Sequence, residues 1–165
     1  MKRDFVRLSL KDFDALWKLS ESICATLESP DYLIPYTEQE AKLVLSDPTQ
    51  AVFGLFCSGK LICSGAAERD LDAFDGEWDK MGIDKEKTVE LGESMTLPEY
   101  RGQGLMLEVN TLLCDWAKEN GYEYAVATAH PDNAASNRSL QKLGMVLHRQ
   151  FTRNSLPRNI YVKKL

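Results

Sequence analysis

The segment from Ser94 to Leu107 carries the clearest chemical signal in this chain. An apolar strand runs into a proline, then into a short loop that holds Gly102 and Gly104, and then into an amphipathic helix. Because glycine has no Cβ, a ligand can approach the backbone amides of such a loop. Free N–H groups at a helix N-terminus bind phosphate groups. The segment therefore predicts a site for a phosphate or a pyrophosphate.

Two other phosphate-binding motifs do not fit this segment. A Walker loop requires Lys followed by Ser or Thr after its last glycine, whereas Leu105 and Met106 follow Gly104. A dinucleotide-binding fingerprint requires a third glycine at position 107, which is Leu107. Two glycines alone are also compatible with a plain turn between a strand and a helix.

The elements that must position this loop follow from the spacing of apolar residues. The predicted strands cover residues 5–10, 51–57, 61–67, 88–97, 122–129, 145–152 and 159–164, and the predicted helices cover 11–27, 37–45, 104–120 and 133–143. The order is thus β-α-α-β-β-β-α-β-α-β-β. Hairpins mixed with βα crossovers predict an α/β fold (an α+β mixed sheet) covered by helices on both faces.

The connections between these elements are also predicted. We expect a hairpin turn at residues 58–60, and Pro157 in the link between the last two strands. Residues 68–87, with eight acidic and four basic side chains, are expected to form a loop with a helical turn that Phe74 and Trp78 anchor. Gly92 predicts a bulge or a close approach of the backbone within its strand.

Composition limits the classes of function. A length of 165 residues suits a single domain over 1–165, and the net charge of −5 argues against a nucleic-acid partner. No apolar run is long enough to span a membrane, and the N-terminal residues lack the apolar core of a signal peptide. The four cysteines are expected to be buried free thiols in a reducing cytoplasm, and two histidines give no metal signature.

Two motifs resemble those of a known family. Residues 97–105, Leu-Pro-Glu-Tyr-Arg-Gly-Gln-Gly-Leu, resemble the acetyl-CoA loop of the GNAT-type N-acetyltransferases, whose signature is Arg/Gln-x-x-Gly-x-Gly/Ala. Residues 133–145 resemble the helix and following strand of the same family, Asn…Leu-x-Lys-Leu-Gly-Phe. The element order is similar across nearly the whole chain. The resemblance implies a GNAT fold in which the central strands, 88–97 and 122–129, splay apart.

The resemblance also implies acetyl-CoA as cosubstrate and no metal. The loop amides would bind the pyrophosphate, and the pantetheine arm would bond to the main chain of residues 95–97, where one amide would face the thioester carbonyl. Asn133 would reach the pantetheine from the other wall, although Asn also suits a helix N-cap. The cofactor-binding residues implied in this way are Met95, Thr96, Leu97, Arg101, Gly102, Gln103, Gly104, Leu105, Met106 and Asn133.

This sequence departs from the family pattern at two positions. Met106 stands where glycine or alanine is usual, so its side chain must point away from the pyrophosphate. Leu140 stands where many members carry a tyrosine that protonates the leaving thiolate. Another group or solvent would then supply that proton, or activity would be weak or absent.

The resemblance also implies two candidates for a catalytic carboxylate. Glu93 is the first candidate for the base that takes a proton from the attacking amine, and Glu90 is the second. Strand alternation places the two on opposite faces unless Gly92 forms a bulge, so we expect only one of them to face the cleft. Either carboxylate is alternatively a solvated strand residue or an ion-pair partner.

The resemblance thus implies transfer of an acetyl group from acetyl-CoA to a primary amine of a small molecule or peptide, by direct attack in a ternary complex. The alternatives are a non-catalytic acyl-CoA-binding or regulatory domain, a transferase for longer acyl groups, and a protein-interaction domain. The loop at 28–36 and the acidic stretch 68–87 are expected near the acceptor. Members of this family often pair through exposed C-terminal strands, so a homodimer is a further expectation.

Overall fold

A computed structural model describes residues 3–165 of the chain. The strands are β1 (Phe5–Arg7), β2 (Ala51–Cys57), β3 (Lys60–Glu68), β4 (Thr88–Thr96), β5 (Tyr124–Ala129), β6 (Val146–Arg153) and β7 (Leu156–Lys164). The helices are α1 (Phe13–Cys24), α2 (Glu38–Ser46), α3 (Trp78–Met81), α4 (Leu105–Glu119) and α5 (Ala134–Lys142). Short 3-10 turns precede or follow several of them. Every predicted helix and strand is present, and most bounds shift by one or two residues.

The seven strands form one mixed sheet in the order β1-β2-β3-β4-β5-β7-β6. All neighbours are antiparallel except β4 and β5, which run parallel. Parallel neighbours need a long crossover, and α4 supplies it. The predicted mixed sheet is therefore confirmed, with β1 and β6 at its two edges.

Both faces of the sheet are covered at β5. Ala125 and Ala127 lie in the large apolar core that α4 also enters, whereas Val126 lies in a second, smaller core with Phe74. Successive strand residues point to opposite faces, so the two cores lie on opposite sides of the sheet at β5. At β3 the larger core covers both faces, since the consecutive residues Ala66 and Ala67 both belong to it. The segment between β3 and β4, which Phe74 anchors, thus acts as the cover of the second face. Trp78 packs beside Phe74, as the sequence predicted.

Local signals at the ends of the elements explain several boundaries. Thr37 and Glu40 form the predicted capping box at the start of α2, with the Thr37 N–H donating to Glu40 Oε2 at 2.7 Å. The β2–β3 hairpin turns through Ser58 and Gly59, whose φ values of 48° and 77° suit a two-residue turn.

Two expectations are wrong. The last two strands are joined by Asn154 and Ser155, with φ values of 52° and 63°. Pro157 lies within β7, opposite Thr152, near the strand end where a missing N–H is tolerated. The four cysteines are free, as expected, but Cys24 and Cys57 are exposed rather than buried. In the part of the chain that the structure describes, no helix combines the length and the apolar character that crossing a bilayer requires.

Candidate active site

A β-bulge lies at the centre of the site. Ala66 of β3 pairs with Gly92 of β4, but Ser64 pairs with Met95, so β4 contains one extra residue between them. Glu93 occupies the bulge with a φ of 48°. A Cβ on Gly92 would lie only 2.2 Å from Glu68 Oε1. The predicted bulge and the predicted close approach at Gly92 are therefore both present.

The bulge places Glu90 and Glu93 beside the same cavity. The expectation that only one of them faces the cleft is wrong. An inserted residue shifts the alternation of side chains, so that positions three apart can share a face.

The two central strands separate just beyond the bulge. Pairing between β4 and β5 ends at Leu91 and Ala127. From there β4 stays paired with β3 as far as Thr96, while β5 stays paired with β7 as far as Ala129. A gap therefore opens between neighbouring strands, as the resemblance implied.

The glycine loop lies at the start of α4. Gly102 and Gly104 adopt φ values of 75° and 77°, which glycine tolerates best. A Cβ on either residue would meet nothing within 4 Å, so the space that it would occupy is open for a ligand. Because α4 begins at Leu105, the amides of its first turn have no acceptor within the helix. The loop thus fits a diphosphate.

Three side chains fix the shape of this loop. Arg101 Nε donates to the Thr96 carbonyl at 3.2 Å. Arg3 donates to the Gln103 carbonyl at 3.1 Å and forms an ion pair with Glu108, contacts that the sequence did not predict. Met106 packs its side chain against the apolar core, so only its main chain faces the loop. The departure from the family pattern at Met106 is thereby accommodated.

The main chain of residues 95–97 is less open than predicted. The Leu97 N–H donates to the Ile62 carbonyl at 2.9 Å, and the Leu97 carbonyl accepts from the Tyr100 N–H at 2.9 Å. Residues two apart on a strand present their main chain to the same side, so Met95 also faces β3. Thr96 alone of the three faces the gap. The pantetheine contacts at Met95, Thr96 and Leu97 stay predictions, and Thr96 is the residue whose main chain is placed best for one.

Asn133 acts as the N-cap of α5. Its Oδ1 accepts from the Ser136 N–H at 3.3 Å, which is the alternative that the sequence left open. Asn137, one turn later, accepts from the Tyr161 hydroxyl at 2.6 Å and donates to the His130 carbonyl at 2.9 Å. Leu140 is buried in the core. Position 140 therefore offers no proton donor.

A cavity of about 590 Å³ reaches the point where the strands separate. Its wall includes Leu91, the last residue of β4 that pairs with β5, and Thr128, which follows the pairing residue of β5. The predicted loop with Tyr32, Ile34 and Tyr36 forms one lip. The charged residues that line the cavity are Glu40, Asp47, Glu68, Arg69, Asp70, Glu90, Glu93, Arg153 and Arg158.

The buried carboxylates of this cavity differ in their partners. Glu90 is balanced by Arg153, which bonds to both of its carboxylate oxygens. Glu68 pairs directly across from Glu90 on the neighbouring strand. Burial raises the pKa of Glu68, and the charge of Glu90 raises it further. Like charges in direct opposition repel, so the cavity favours a cation.

Glu93, like Glu68, is a buried carboxylate that forms no ion pair with any of residues 3–165. Burial raises its pKa to about 8, although the backbone of Tyr36 opposes the shift. Its Oε2 is buried and has no hydrogen-bond partner among the described residues. A carboxylate with a pKa near the working pH can accept a proton from a substrate.

Sequence reasoning missed Arg153 and Arg158 as parts of this site, and it placed Glu68 near the acceptor only as the first residue of the acidic stretch 68–87. Glu68 ends an apolar strand and the two arginines flank the final hairpin, so no motif or spacing distinguishes these residues. These three residues lie near the bulge only because of the register in which the strands of the sheet pair. Among residues 3–165 no group of three or more His, Cys, Asp or Glu side chains is arranged to hold a metal ion.

Residues 5–146 match the family model for the acetyltransferase (GNAT) domain. A search among curated proteins gave no significant match.

Several solved structures share the fold. An N-acetyltransferase from Staphylococcus aureus Mu50 superposes with a TM-score of 0.75 at 14% identity, over 99% of this chain and 98% of that one. Arabidopsis thaliana NAA60 in complex with acetyl-CoA gives a TM-score of 0.76 at 13% identity, over 99% of both chains. Salmonella typhimurium yncA with its cofactor acetyl-CoA gives 0.73 at 18% identity, over 100% of this chain and 95% of that one.

Because these sequence identities are low, the structural similarity supports the fold alone. The family model spans most of the chain and includes the bulge, the splayed strands and the glycine loop. The protein therefore belongs to the GNAT acetyltransferase family and is an acyltransferase.

Proposed function

We propose that the protein transfers the acetyl group of acetyl-CoA to a primary amine of a small molecule or peptide, by direct attack in a ternary complex. The observation that carries the proposal is the position of Glu93. A carboxylate whose Oε2 has no hydrogen-bond partner among residues 3–165 lies at the bulge where the strands separate, beside an acidic cavity. An amine that enters this cavity meets a base at the mouth of the gap.

The glycine loop is proposed as the site of the coenzyme diphosphate. The amides from Gly102 to Met106 surround open space at the N-terminus of α4, which favours an anion. The Thr96 main chain faces the gap, where it would meet the pantetheine arm. Acetyl-CoA supplies an acyl thioester, whose carbon–sulfur bond breaks as the carbon–nitrogen bond of the product forms. The solved complexes of NAA60 and yncA with acetyl-CoA support this choice of cosubstrate.

Two proton transfers accompany the reaction, one from the amine and one to the departing thiolate. Ionised Glu93 accepts the proton that the amine loses, and the acidic cavity attracts the amine as an ammonium ion. Glu90 remains paired with Arg153 and acts through the electrostatics of the cavity rather than as a base. Since Leu140 offers no proton, solvent protonates the departing thiolate, which is a tolerable leaving group near neutral pH.

Release of CoA from acetyl-CoA in the presence of a panel of primary amines tests the proposal. We expect release that depends on the amine, together with a product that is heavier by one acetyl group in mass spectrometry. Tight binding of acetyl-CoA without turnover of any amine would instead indicate the non-catalytic binding domain.

A further inference from the structure

Among residues 3–165, one cation of the cavity forms no ion pair. Arg158, on β7, is only 6% exposed. Its Nη2 donates to the Asp31 carbonyl, but its Nη1 is buried with no partner among the described residues. Burial and the neighbouring positive charge of Arg153 lower the pKa of Arg158, and the charge of Asp31 partly opposes this shift.

The other charges of the cavity do not satisfy Arg158. Glu90 is engaged with Arg153, and Asp70 lies 3.8 Å from the same Arg153. Arg69 is turned toward the carbonyl of Lys85 and the carboxylate of Glu86. A buried charge without a partner is costly, and such a group is expected to be paired in the functional state.

Three residues that line this cavity thus carry a buried polar atom with no partner among residues 3–165: the Tyr36 hydroxyl, Glu93 Oε2 and Arg158 Nη1. Glu93 Oε2 can accept a hydrogen bond, and Arg158 Nη1 can donate one. An arginine guanidinium is well suited to a carboxylate, since its planar N–H groups match the two carboxylate oxygens. A cavity of about 590 Å³ is large enough to hold a small molecule that spans both.

We propose that the acceptor is an amino acid, whose amine is held at Glu93 and whose carboxylate is held by Arg158. This inference rests on the proposed function and narrows its substrate class. Arg158 is here a specificity-determining residue, because it binds a part of the substrate that does not react. The transferred acetyl group forms its bond to the amine nitrogen, and the carboxylate is unchanged.

Pairs of amines that differ only in the carboxylate test the proposal. Suitable pairs are L-lysine with cadaverine, L-histidine with histamine and L-tyrosine with tyramine. A series of ω-amino acids covers other distances between the amine and the carboxylate. For at least one pair or one member of the series, we expect kcat/KM with the carboxylate to exceed that of the carboxylate-free amine by about 10- to 100-fold. Equal or faster turnover of the carboxylate-free amines throughout would overturn the proposal.

Two variants separate a binding role from a structural one. Arg158→Gln is expected to raise the KM of the amino acid by a similar factor, with little change in kcat or in turnover of the carboxylate-free amine. Arg158→Lys is expected to restore part of the preference. Lys164→Gln, which removes one positive charge from the exposed end of the same strand, is the matched control and should leave the preference unchanged. An equal loss for both members of a pair in Arg158→Gln would contradict the proposal.

A thermal-shift measurement makes this test independent of catalysis. The preferred amino acid should raise the Tm of the wild-type protein and not that of Arg158→Gln. If acetyl-CoA does not bind, the proposed function is wrong. The change in Tm that the amino acid causes still tests whether Arg158 binds a carboxylate. Absence of any shift with the whole panel in the wild-type protein would overturn the assignment of Arg158.

Discussion

At the scale of single residues, the backbone conformation of Glu93 determines where its carboxylate lies. Its φ of 48° is unusual for a residue with a side chain, and it exists because the bulge requires it. The same geometry buries its carboxylate and raises the pKa to about 8. Strained backbone of this kind often occurs at functional sites. The structure therefore favours Glu93 over Glu90, which is already paired with Arg153.

The first prediction concerns the pH dependence of the reaction. Since the base acts only when ionised, kcat/KM is expected to rise with pH until Glu93 has ionised, near pH 8. Glu93→Gln should lower kcat/KM about 100-fold and remove this rise. Steady-state rates from pH 6 to 10 measure both effects.

Glu21→Gln, an exposed change on α1, is the control for the loss of one carboxylate. It should leave the pH profile unaltered. A Glu93→Gln enzyme that kept the wild-type profile would show that another group accepts the proton.

At the scale of elements, β4 and its neighbours position the site. The strand contributes the bulge, the wall of the gap and the entrance to the glycine loop. Gly92 permits this arrangement because the Glu68 carboxylate lies where a Cβ would be. The position of the Glu68 carboxylate, and with it the shape of the acceptor cavity, therefore depends on Gly92 of β4.

The second prediction follows from this contact. Gly92→Ala would push the flexible Glu68 carboxylate toward the cavity, so the KM for the amine should rise several-fold while acetyl-CoA affinity stays unchanged. When Glu68→Ala is already present, Gly92→Ala should add little, because the contact that it disturbs is gone. Fully additive effects of the two changes on KM would contradict the coupling.

The elements themselves could be predicted from the sequence, and the details of the site only in part. Periodicity located the strands and helices, and the loop after Tyr100 was predicted from its two glycines. The partner of each main-chain group could not be predicted, because sheet register decides it. Hence the bonds of Leu97 to Ile62 and Tyr100 were not predicted. Arg158 was missed since only folding brings it to the cavity that Glu93 also lines.

At the scale of the whole molecule, the segment between β3 and β4 closes the second face of the sheet. Phe74 stacks on Phe151 of β6, and Glu77 pairs with Arg149 of the same strand. The Arg149 guanidinium lowers the pKa of Glu77 to about 2. These contacts tie the acidic segment to the edge of the sheet.

The third prediction is a loss of stability in acid. Because the pKa of Glu77 is lowered by folding, its contribution is present above the unfolded pKa of about 4.5 and is lost as the pH falls toward 2. Glu77→Gln should lower the free energy of unfolding by about 1–2 kcal/mol at pH 7. The difference from the wild type should shrink as the pH falls through that range in urea titrations. A difference that is the same at pH 7 and pH 2.5 would contradict the assignment.

The central claim is that the glycine loop of this family member holds acetyl-CoA, and calorimetric titration with acetyl-CoA tests it most directly. Gly104→Ala places a Cβ in the open space of the loop, whereas Gly121→Ala makes the same kind of change at a φ of 86° beyond the end of α4. Both variants carry similar backbone strain of about 1 kcal/mol. We predict that the wild type and Gly121→Ala bind acetyl-CoA alike and that Gly104→Ala binds at least about tenfold more weakly. Equal affinity in all three proteins would contradict the account.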